Sequence, residues 1–461
     1  MRRRPPSLLQ VSTADVLGGA ERIARQLHEA IVAYGGESWL AVGRVEGHVR
    51  GALTIPNDAL RSAWTRRWRS LAERLEHGGF GASVAARLAR GPIGDPIRWL
   101  STQLGVEDFH FPGTRTLLNL PPRVPDVLHL HNLHNEYFDV RHLPVLSRAV
   151  PTVLTLHDQW LVTGHCAHAL DCTRWESGCG HCPHLDTYPA VQRDSTHYNW
   201  VRKHRLVSQS ALHVAVPSMW LYNLVARSRM ARSFRSLRLI RQGVDLAVFS
   251  PGDRVAARTR LGLPIDLTRP VVLLLADSMR EGSWKGGLWV REALERFVAK
   301  PQGRRASLLA VGGTEGMQWG SSLPVRFVGA VNDDATMAAC YRAADVFVHP
   351  SRFENYPNAI MESIACGTPV VATAVGGVPE QVRESGMQPG REATGALVPS
   401  YDAEALAAAI EQLLALDATT HARIRSAARE DAQLRFDARE MVRTYLAWYE
   451  LLSLDAQRES A

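Results

Sequence analysis

The sequence of 461 residues has no run of about 18 apolar residues, so it predicts no membrane-spanning helix. The start, Met1–Pro6, is basic, but the stretch after it is too short and polar for a signal-peptide core. Hydrophobic residues make up 46% and charged residues 21%, which excludes disordered, collagen-like and coiled-coil classes. We therefore expect a cytoplasmic protein of two or three domains, with reduced thiols.

The charge of the chain is basic, with a net value of +7, and it comes almost entirely from arginine, because lysine is scarce. A basic surface is compatible with anionic partners such as nucleotide phosphates or acidic lipid. No segment resembles a DNA- or RNA-binding module, so a nucleic-acid partner is not expected.

Short apolar runs alternate with helix-length amphipathic stretches, a pattern typical of parallel α/β layers. In the first half it predicts strands near Leu8–Ser12, Ser38–Val42, Val127–Leu130, Val153–Leu156, His213–Val216 and Leu237–Arg241. In the second half it predicts strands near Val271–Ala276, Ser307–Val311, Arg326–Val328, Val346–His349, Val370–Thr373 and Ala396–Pro399. The pattern restarts after the polar junction Phe249–Asp253, which favours two Rossmann-like domains.

The predicted domain boundaries follow from this restart. The first domain covers 1–249, the second covers 250–436, and a C-terminal helix over 437–461 returns to the first domain. Within the first domain, residues 51–120 break the alternation as an Arg-rich insertion. An apolar stripe runs along it: Leu60, Trp64, Trp68, Leu71 and Leu75. This helix either lies on an anionic membrane surface or covers the sheet of its own domain.

The segment from His349 to Thr373 predicts a strand, a loop, a helix and a second strand. Glu354 lies in the loop at the carboxyl end of the strand, where open α/β sheets bind ligands. Asn358 and Ala359 fall in the first turn of the helix, whose amides and positive dipole end suit a diphosphate. Glu362 follows within the same helix, and Gly376-Gly377 opens the next one.

This arrangement resembles the retaining nucleotide-sugar glycosyltransferases of family four. Their E-x7-E motif is matched by Glu354 and Glu362, their glycine-rich loop by Gly18-Gly19, and their T-x-H-D by Thr155–Asp158. The conserved Lys-Gly pair is matched by Lys285-Gly286, and the likeness covers essentially the whole chain. The resemblance implies a GT-B fold, in which two Rossmann-like domains face each other across a cleft.

The resemblance also implies roles for single residues. Glu354 would contact the donor sugar, Glu362 the ribose, and His157 the sugar near the reacting carbon. Lys285 would balance the diphosphate, and Arg280 would join it, although the local order of Asp277–Trp284 departs from the family's pattern. The remaining donor-binding candidates are Gly18, Gly19, Asn358, Ala359 and Gly377.

The implied activity is retaining transfer of a sugar from a nucleotide-diphosphate sugar to a glycan or lipid-linked saccharide, in polysaccharide biosynthesis. No cofactor is expected to be required, because positive side chains and a helix end can stabilise the leaving diphosphate. The expected location is the cytoplasm, with peripheral contact at the inner face of the membrane. Two alternatives are a non-hydrolysing nucleotide-sugar epimerase and a non-catalytic nucleotide-sugar-binding protein.

Two clusters in the first domain remain. His129, His131 and His134 are predicted at the end of the strand near Val127–Leu130, where they either contact an acceptor or satisfy loop hydrogen bonds. Four cysteines lie within the Cys-rich loop 165–183: Cys166, Cys172, Cys179 and Cys182. Their spacing allows a structural zinc site, disulfide or redox pairs, or free thiols.

Overall fold

The computed structural model describes residues 5–16, 18–47, 49, 51–76, 80–275, 285–312, 323–384 and 391–459. The chain divides into two compact units. The first unit comprises residues 1–217, 221–240 and 444–461, and the second comprises residues 218–220 and 241–443. Each unit is built on one parallel sheet, which confirms the predicted α/β class.

The sheet of the first unit has the strand order β3-β2-β1-β4-β5-β6-β7 among the described residues. Its strands are β1 (Leu8–Ala14), β2 (Ser38–Arg44), β3 (Leu53–Thr54), β4 (Val127–His131), β5 (Thr152–Thr155), β6 (Leu212–Val216) and β7 (Ser236–Leu239). Helices between and after them are α1 (Gly19–Ala33), α2 (Ala63–Leu75), α3 (Phe80–Leu88), α4 (Pro96–Gln103), α5 (Leu143–Ala149), α6 (Thr196–Ser208) and α7 (Met219–Arg227). All seven residues of β1 are buried, as expected for a strand covered on both faces.

The insertion forms the helices α2, α3 and α4, and α2 packs mainly on other parts of the insertion. Its Trp68 and Leu75 lie against a small cluster of alanines: Ala72, Ala86 and Ala89. The other members of the predicted apolar stripe are exposed: Leu60, Trp64 and Leu71. These packing contacts are with the insertion and not with the sheet, and the predicted contact with a membrane surface stays a prediction.

The sheet of the second unit has the order β10-β9-β8-β11-β12-β13 among the described residues. Its strands are β8 (Val271–Leu275), β9 (Ser307–Val311), β10 (Val325–Val328), β11 (Val346–His349), β12 (Val370–Thr373) and β13 (Gly395–Val398). Its helices are α8 (Arg254–Leu261), α9 (Leu288–Val298), α10 (Asp334–Ala343), α11 (Asn358–Ala365), α12 (Ala403–Leu414) and α13 (Ala418–Arg435). Alternate residues of β8 enter the two apolar clusters on opposite faces of the sheet, which is the period of a strand.

In both units the chain builds one side of the sheet and then returns to the centre to build the other. The reversal lies between β1 and β4 in the first unit and between β8 and β11 in the second. Ligands of open α/β sheets bind at the carboxyl ends of the strands beside such a switch point. The loops after these four strands are therefore the places to look for a site.

The boundary between the units differs from the predicted junction at 249/250, because it lies at 240/241. Val244, Leu246 and Phe249 are buried in the core of the second unit, so this segment packs there and is not a solvated linker. Val244 also pairs with Asp437 in an isolated parallel bridge.

The last helix, α14 (Ala438–Glu459), begins in the second unit, and from Thr444 onward it belongs to the first. The corresponding boundary is therefore 443/444, and the sequence had placed it at 436/437. Tyr445 and Tyr449 are buried and carry the helix's contacts with the first sheet. The Tyr445 hydroxyl lies 2.8 Å from Thr155 Oγ1, at the end of β5.

Candidate functional site

The loop after β11 holds Glu354 in place from two directions. One carboxylate oxygen, Oε1, lies 3.1 Å from His349 Nε2 and accepts a hydrogen bond of 3.0 Å from Ser351 Oγ. His349 ends the strand and is buried, whereas the Glu354 side chain is 19% exposed. The side chain is thus oriented by its neighbours and still reaches the surface at the switch point of the second sheet.

Two glycines after β12 allow the backbone to approach this loop. A Cβ atom at Gly376 would overlap the carbonyl oxygen of Glu354, and one at Gly377 would overlap the carbonyl oxygen of Asn355. Gly376 also has φ = +55°, a conformation that glycine adopts without strain. The predicted donor-binding Gly377 therefore has a direct structural reason to be glycine.

Helix α11 begins directly after this loop, with its first amides not capped by a side chain. Pro357 is the N-cap residue, and Asn358 and Ala359 form the first turn. Among the described residues, Asn358 Oδ1 is buried without a hydrogen-bond partner. The uncapped amides and the positive end of the helix dipole make this turn suitable for an anion.

Glu362 lies one turn into α11 and is buried. Its Oε2 accepts a hydrogen bond of 3.0 Å from the Tyr341 hydroxyl of α10. The carboxylate is therefore held by the protein itself, and its predicted contact with a ribose stays a prediction.

Lys285 stands between β8 and the beginning of α9, where it is half-buried. Since β8 and β11 are paired and parallel, their carboxyl ends meet at the same edge of the sheet. Lys285 and Glu354 thus follow the two strands that flank the switch point. Arg280 lies outside the described residues.

In the first unit, Gly18 and Gly19 occupy the corresponding position after β1. Gly18 is the N-cap residue of α1 and Gly19 is the first residue of the helix. A Cβ atom at Gly18 would come within 2.5 Å of Glu21 Oε2, so a side chain there would displace Glu21. The two glycines themselves contribute no side chain at the beginning of α1, and the Glu21 carboxylate lies close to Gly18.

His157 follows β5 and belongs to a chain of buried polar side chains. Its Nε2 lies 3.1 Å from His131 Nδ1, and His131 Nε2 lies 3.0 Å from Gln10 Oε1. Burial lowers the pKa of His157 to about 4 and that of His131 well below the usual histidine value. Both imidazoles are therefore neutral at pH 7, so His157 can exchange hydrogen bonds with a sugar hydroxyl but carries no charge.

The other two histidines after Val127 have separate partners. His129 Nδ1 lies 2.6 Å from the Tyr449 hydroxyl of α14, which ties the C-terminal helix to the centre of the first sheet. His134 Nε2 lies 2.6 Å from Asp158 Oδ2. Burial opposes the charge on His134, but Asp158 and its hydrogen bond raise the pKa of this histidine overall.

The four cysteines of the Cys-rich loop line one small cavity of about 20 Å³, together with His165. The Gly164 amide donates a hydrogen bond of 3.1 Å to Cys179 Sγ, and Cys182 Sγ lies 3.5 Å from His165 Nε2. None of the cysteines is in a disulfide. Within the described part of the chain, no three His, Cys, Asp or Glu side chains are spaced to hold a metal ion, and zinc stays a prediction.

Residues 269–416 match the family model described as glycosyl transferases group 1, and this match lies inside the second unit. It contains Glu354, Asn358, Ala359, Glu362 and Gly377. Residues 269–416 are therefore similar to a group 1 glycosyl transferase domain, and over this part of the chain the comparison bears out the resemblance read from the sequence.

Two curated relatives are similar to about half of the chain. A colanic acid biosynthesis glycosyl transferase, WcaC, of Escherichia coli K12 is 26% identical over 276 residues, which is 57% of this chain and 63% of WcaC. A D-inositol 3-phosphate glycosyltransferase of Saccharomonospora viridis is 35% identical over 228 residues, 46% of this chain and 50% of that relative. The chain thus spans between half and two thirds of the length of these relatives.

A solved structure extends the likeness to the whole fold. Anabaena Alr3699/HepE, in complex with UDP and glucose, has a TM-score of 0.61 and 18% identity, and the alignment covers 96% of this chain and 99% of HepE. The two Rossmann-like domains of the GT-B fold are therefore confirmed.

Sequence reasoning missed the side chains that support the site of the group 1 domain. His349 and Ser351 hold Glu354, and Tyr341 holds Glu362. His349 and Ser351 lie within five positions of Glu354 in the sequence, and a polar residue at the end of a buried strand was the available signal. Tyr341 lies on another helix, and no sequence pattern indicates that contact.

Proposed function

We propose that this protein is a retaining glycosyltransferase that moves a sugar from a nucleoside diphosphate sugar to a glycan or lipid-linked saccharide. The observation that carries the proposal is the placement of Glu354 and the uncapped end of α11 at the switch point of a group 1 domain. Within five residues of chain, this place combines a carboxylate that can bind sugar hydroxyls with a helix N-terminus that can bind phosphates.

The leaving group of such a reaction is a nucleoside diphosphate, whose negative charge grows as the C1–O bond breaks. The amides of Asn358 and Ala359 and the ammonium of Lys285 would stabilise that charge. Because this part of the protein supplies positive charge itself, we expect transfer to proceed without an added divalent metal. Arg280 is proposed to act beside Lys285.

The sugar carbon becomes electron-poor as the bond breaks, and a nearby carboxylate offsets this charge. Glu354 is oriented for that task because His349 and Ser351 both contact its Oε1. Neutral His157 is proposed to contact the transferred sugar, and Glu362 the ribose. Retention of the anomeric configuration is the outcome expected from the family resemblance.

The relatives support a choice of donor and pathway to test first. HepE binds UDP and glucose, and WcaC is named for colanic acid biosynthesis. We therefore propose a UDP-sugar donor and a role in exopolysaccharide or other cell-surface glycan biosynthesis.

We also propose a peripheral contact with the inner face of the cytoplasmic membrane. Among the described residues, no helix is long and apolar enough to cross a bilayer. Ten large apolar side chains of the segment 60–104 are nevertheless exposed: Leu60, Trp64, Leu71, Val84, Leu88, Ile93, Ile97, Trp99, Leu100 and Leu104. The same segment has eight arginines against three acidic residues, a combination that favours an anionic lipid surface.

For the Cys-rich loop we propose one structural zinc ion, with no role in the reaction. Burial raises the pKa of Cys166 to about 11 and that of Cys179 to about 12, so both are protonated thiols at pH 7. A zinc ion would have to displace these protons and draw the sulfur atoms together. The shared cavity of the four cysteines supports the proposal.

A screen of nucleotides tests the proposed function directly. The melting temperature of the protein is measured with UDP, GDP and their common sugars, because a ligand that binds the folded state raises it. The stabilising donor is then incubated with saccharide acceptors, and released diphosphate and new glycan are measured. Sugar transfer supports the proposal, whereas C2 epimerisation of the donor or binding without turnover would replace it with one of the alternatives.

A further inference from the structure

A cavity of about 430 Å³ lies within the first unit, and its lining includes none of the residues proposed to bind the donor. One wall comes from the insertion, between Arg90 and Phe111. The other comes from the loop Leu133–Glu136 after β4 and from Pro189–Gln192, which follows the Cys-rich loop. This volume falls in the range of small-molecule sites.

Every charged side chain that lines the cavity has an oppositely charged partner. Arg98 pairs with Asp108 and lies 3.5 Å from Glu136. Glu107 lies 3.0 Å from the buried Lys203. The three other pairs are Asp95 with Arg61 at 3.5 Å, His134 with Asp158 at 2.6 Å, and Arg90 with Glu76.

The Asp108 carboxylate shows how firmly these charges are balanced. Burial alone would raise its pKa, but hydrogen bonds from His110 and the charge of Arg98 lower it to about 2. The ion pair of Asp108 with Arg98 therefore stays formed across the neutral pH range. A ligand with a net charge would have to break one of them, whereas an uncharged polar ligand would not.

The remaining lining supplies an aromatic surface and neutral hydrogen-bonding groups. Trp99 on α4 lines the cavity and is 40% exposed, and three buried aromatic side chains line it as well: Phe109, Phe111 and Trp160. The uncharged polar residues around it are Thr102, Gln103, Asn135 and Gln192. A flat apolar face surrounded by amides and hydroxyls suits a sugar ring, which has apolar C–H faces and a rim of hydroxyls.

The backbone before α4 is shaped to hold Trp99 there. Residues Ala89–Ile93 form a kinked turn in which Gly91 has non-helical angles, φ = −97° and ψ = −105°. A Cβ atom at Gly91 would come within 2.9 Å of Trp99 Cδ1, so glycine lets the indole lie against the chain.

We infer that this cavity binds an uncharged saccharide unit of the acceptor, with Trp99 as the stacking surface. That this saccharide belongs to the acceptor rests on the proposed function. The binding of a neutral saccharide to the cavity can be measured independently of sugar transfer. The insertion would then set acceptor choice, since it contributes the aromatic wall.

The test uses lactose, cellobiose and maltose as neutral probes, and lactobionate and cellobionate as their anionic counterparts. Binding is followed by calorimetric titration of the wild type, of Trp99→Ala and of Ile97→Ala. Ile97 lies on the same helix, is 73% exposed and does not line the cavity, so it is the matched control. The affinity for UDP is measured for all three proteins.

We expect saturable binding of a neutral disaccharide to the wild type, at least tenfold weaker binding to Trp99→Ala, and unchanged binding to Ile97→Ala. The aldonates should bind at least tenfold more weakly than their parent sugars, and UDP equally to all three proteins. The inference is overturned if no neutral disaccharide binds, if Trp99→Ala binds like the wild type, or if the aldonates bind more tightly. If the wild type binds a neutral disaccharide in a Trp99-dependent way but transfers no sugar, the proposed function alone is contradicted.

Discussion

The chain has three lysines, and each has a different environment. Lys203 is buried against Glu107, and Lys300 lies 3.0 Å from Glu404 at the surface of the second unit. Lys285 stands beside the switch point of the same unit. The arginine-rich background makes the use of lysine at this position notable, because an ammonium acts on a diphosphate as a compact point charge.

We predict that Lys285→Ala lowers kcat/KM for sugar transfer, since a positive group facing the leaving diphosphate would be lost. The loss of transition-state stabilisation should be about 2–4 kcal/mol. Lys300→Ala is the control, because it removes the same charge from the same unit at a surface ion pair. Steady-state kinetics with and without EDTA measure both effects. Equal loss in the two variants, or a requirement for Mg²⁺ or Mn²⁺, would contradict the role given to Lys285.

The residue-level candidates were predictable where the chemistry is local in the chain. Glu354, Asn358 and Glu362 lie within nine residues, so one motif places all three on a loop and the helix after it. The contact between His131 and Gln10 joins residues 121 positions apart, and no periodicity in the sequence indicates it. Such contacts depend on strand order, which the sequence pattern does not specify.

At the scale of elements, the loop after β12 packs directly against the loop after β11, because Gly376 has no side chain to separate them. We predict that Gly376→Ala lowers the melting temperature and weakens nucleotide binding at least tenfold, since its Cβ atom would push the Glu354 loop away. Gly329→Ala is the control, because a Cβ atom there meets nothing within 4 Å. Nucleotide binding by Gly376→Ala that equals that of the control would show that this approach does not shape the site.

The Cys-rich loop gives a second prediction at this scale. Protein purified under reducing conditions should contain about one equivalent of zinc, and Cys182→Ser should lower both the zinc content and the melting temperature. Cys340→Ser, in the core of the second unit, should leave the zinc content unchanged. The zinc proposal would be contradicted if mass spectrometric metal analysis finds no zinc and all thiols are reactive or paired in disulfides.

The strands were largely predictable, since β11 spans Val346–His349 as its apolar run indicated and most others agree within two residues. Strand β3 was missed because its two residues, Leu53 and Thr54, are too few to form a period-two pattern. The unit boundary shifted for a different reason. Phe249-Ser-Pro has the composition of a linker, but the core of the second unit buries Phe249.

At the scale of the whole molecule, the charge and exposed apolar surface of the insertion predict lipid binding. Sedimentation with phosphatidylglycerol vesicles should pellet the protein, and phosphatidylcholine vesicles should not. The double variant Arg67→Glu/Arg74→Glu should bind at least about thirtyfold more weakly, because the loss of each arginine near the surface costs about 1 kcal/mol and the glutamates add repulsion. The control is Arg443→Glu/Arg458→Glu on α14. A similar loss of vesicle binding in this control would show that binding depends on the net charge of the protein and not on the insertion.

The central claim is that Glu354 faces the transferred sugar in a group 1 domain, and one paired measurement tests it most directly. The Glu354→Gln and Glu362→Gln variants are compared with the wild type for diphosphate affinity by calorimetry and for sugar transfer by product release. Glu354→Gln should fold normally and bind the diphosphate like the wild type, yet turn over at least about a hundredfold more slowly, roughly 2.7 kcal/mol. Glu362→Gln should instead weaken diphosphate binding, while its amide oxygen still accepts the hydrogen bond from Tyr341. Near-wild-type transfer by Glu354→Gln would contradict the account, because Glu354 would then be a structural residue of its loop.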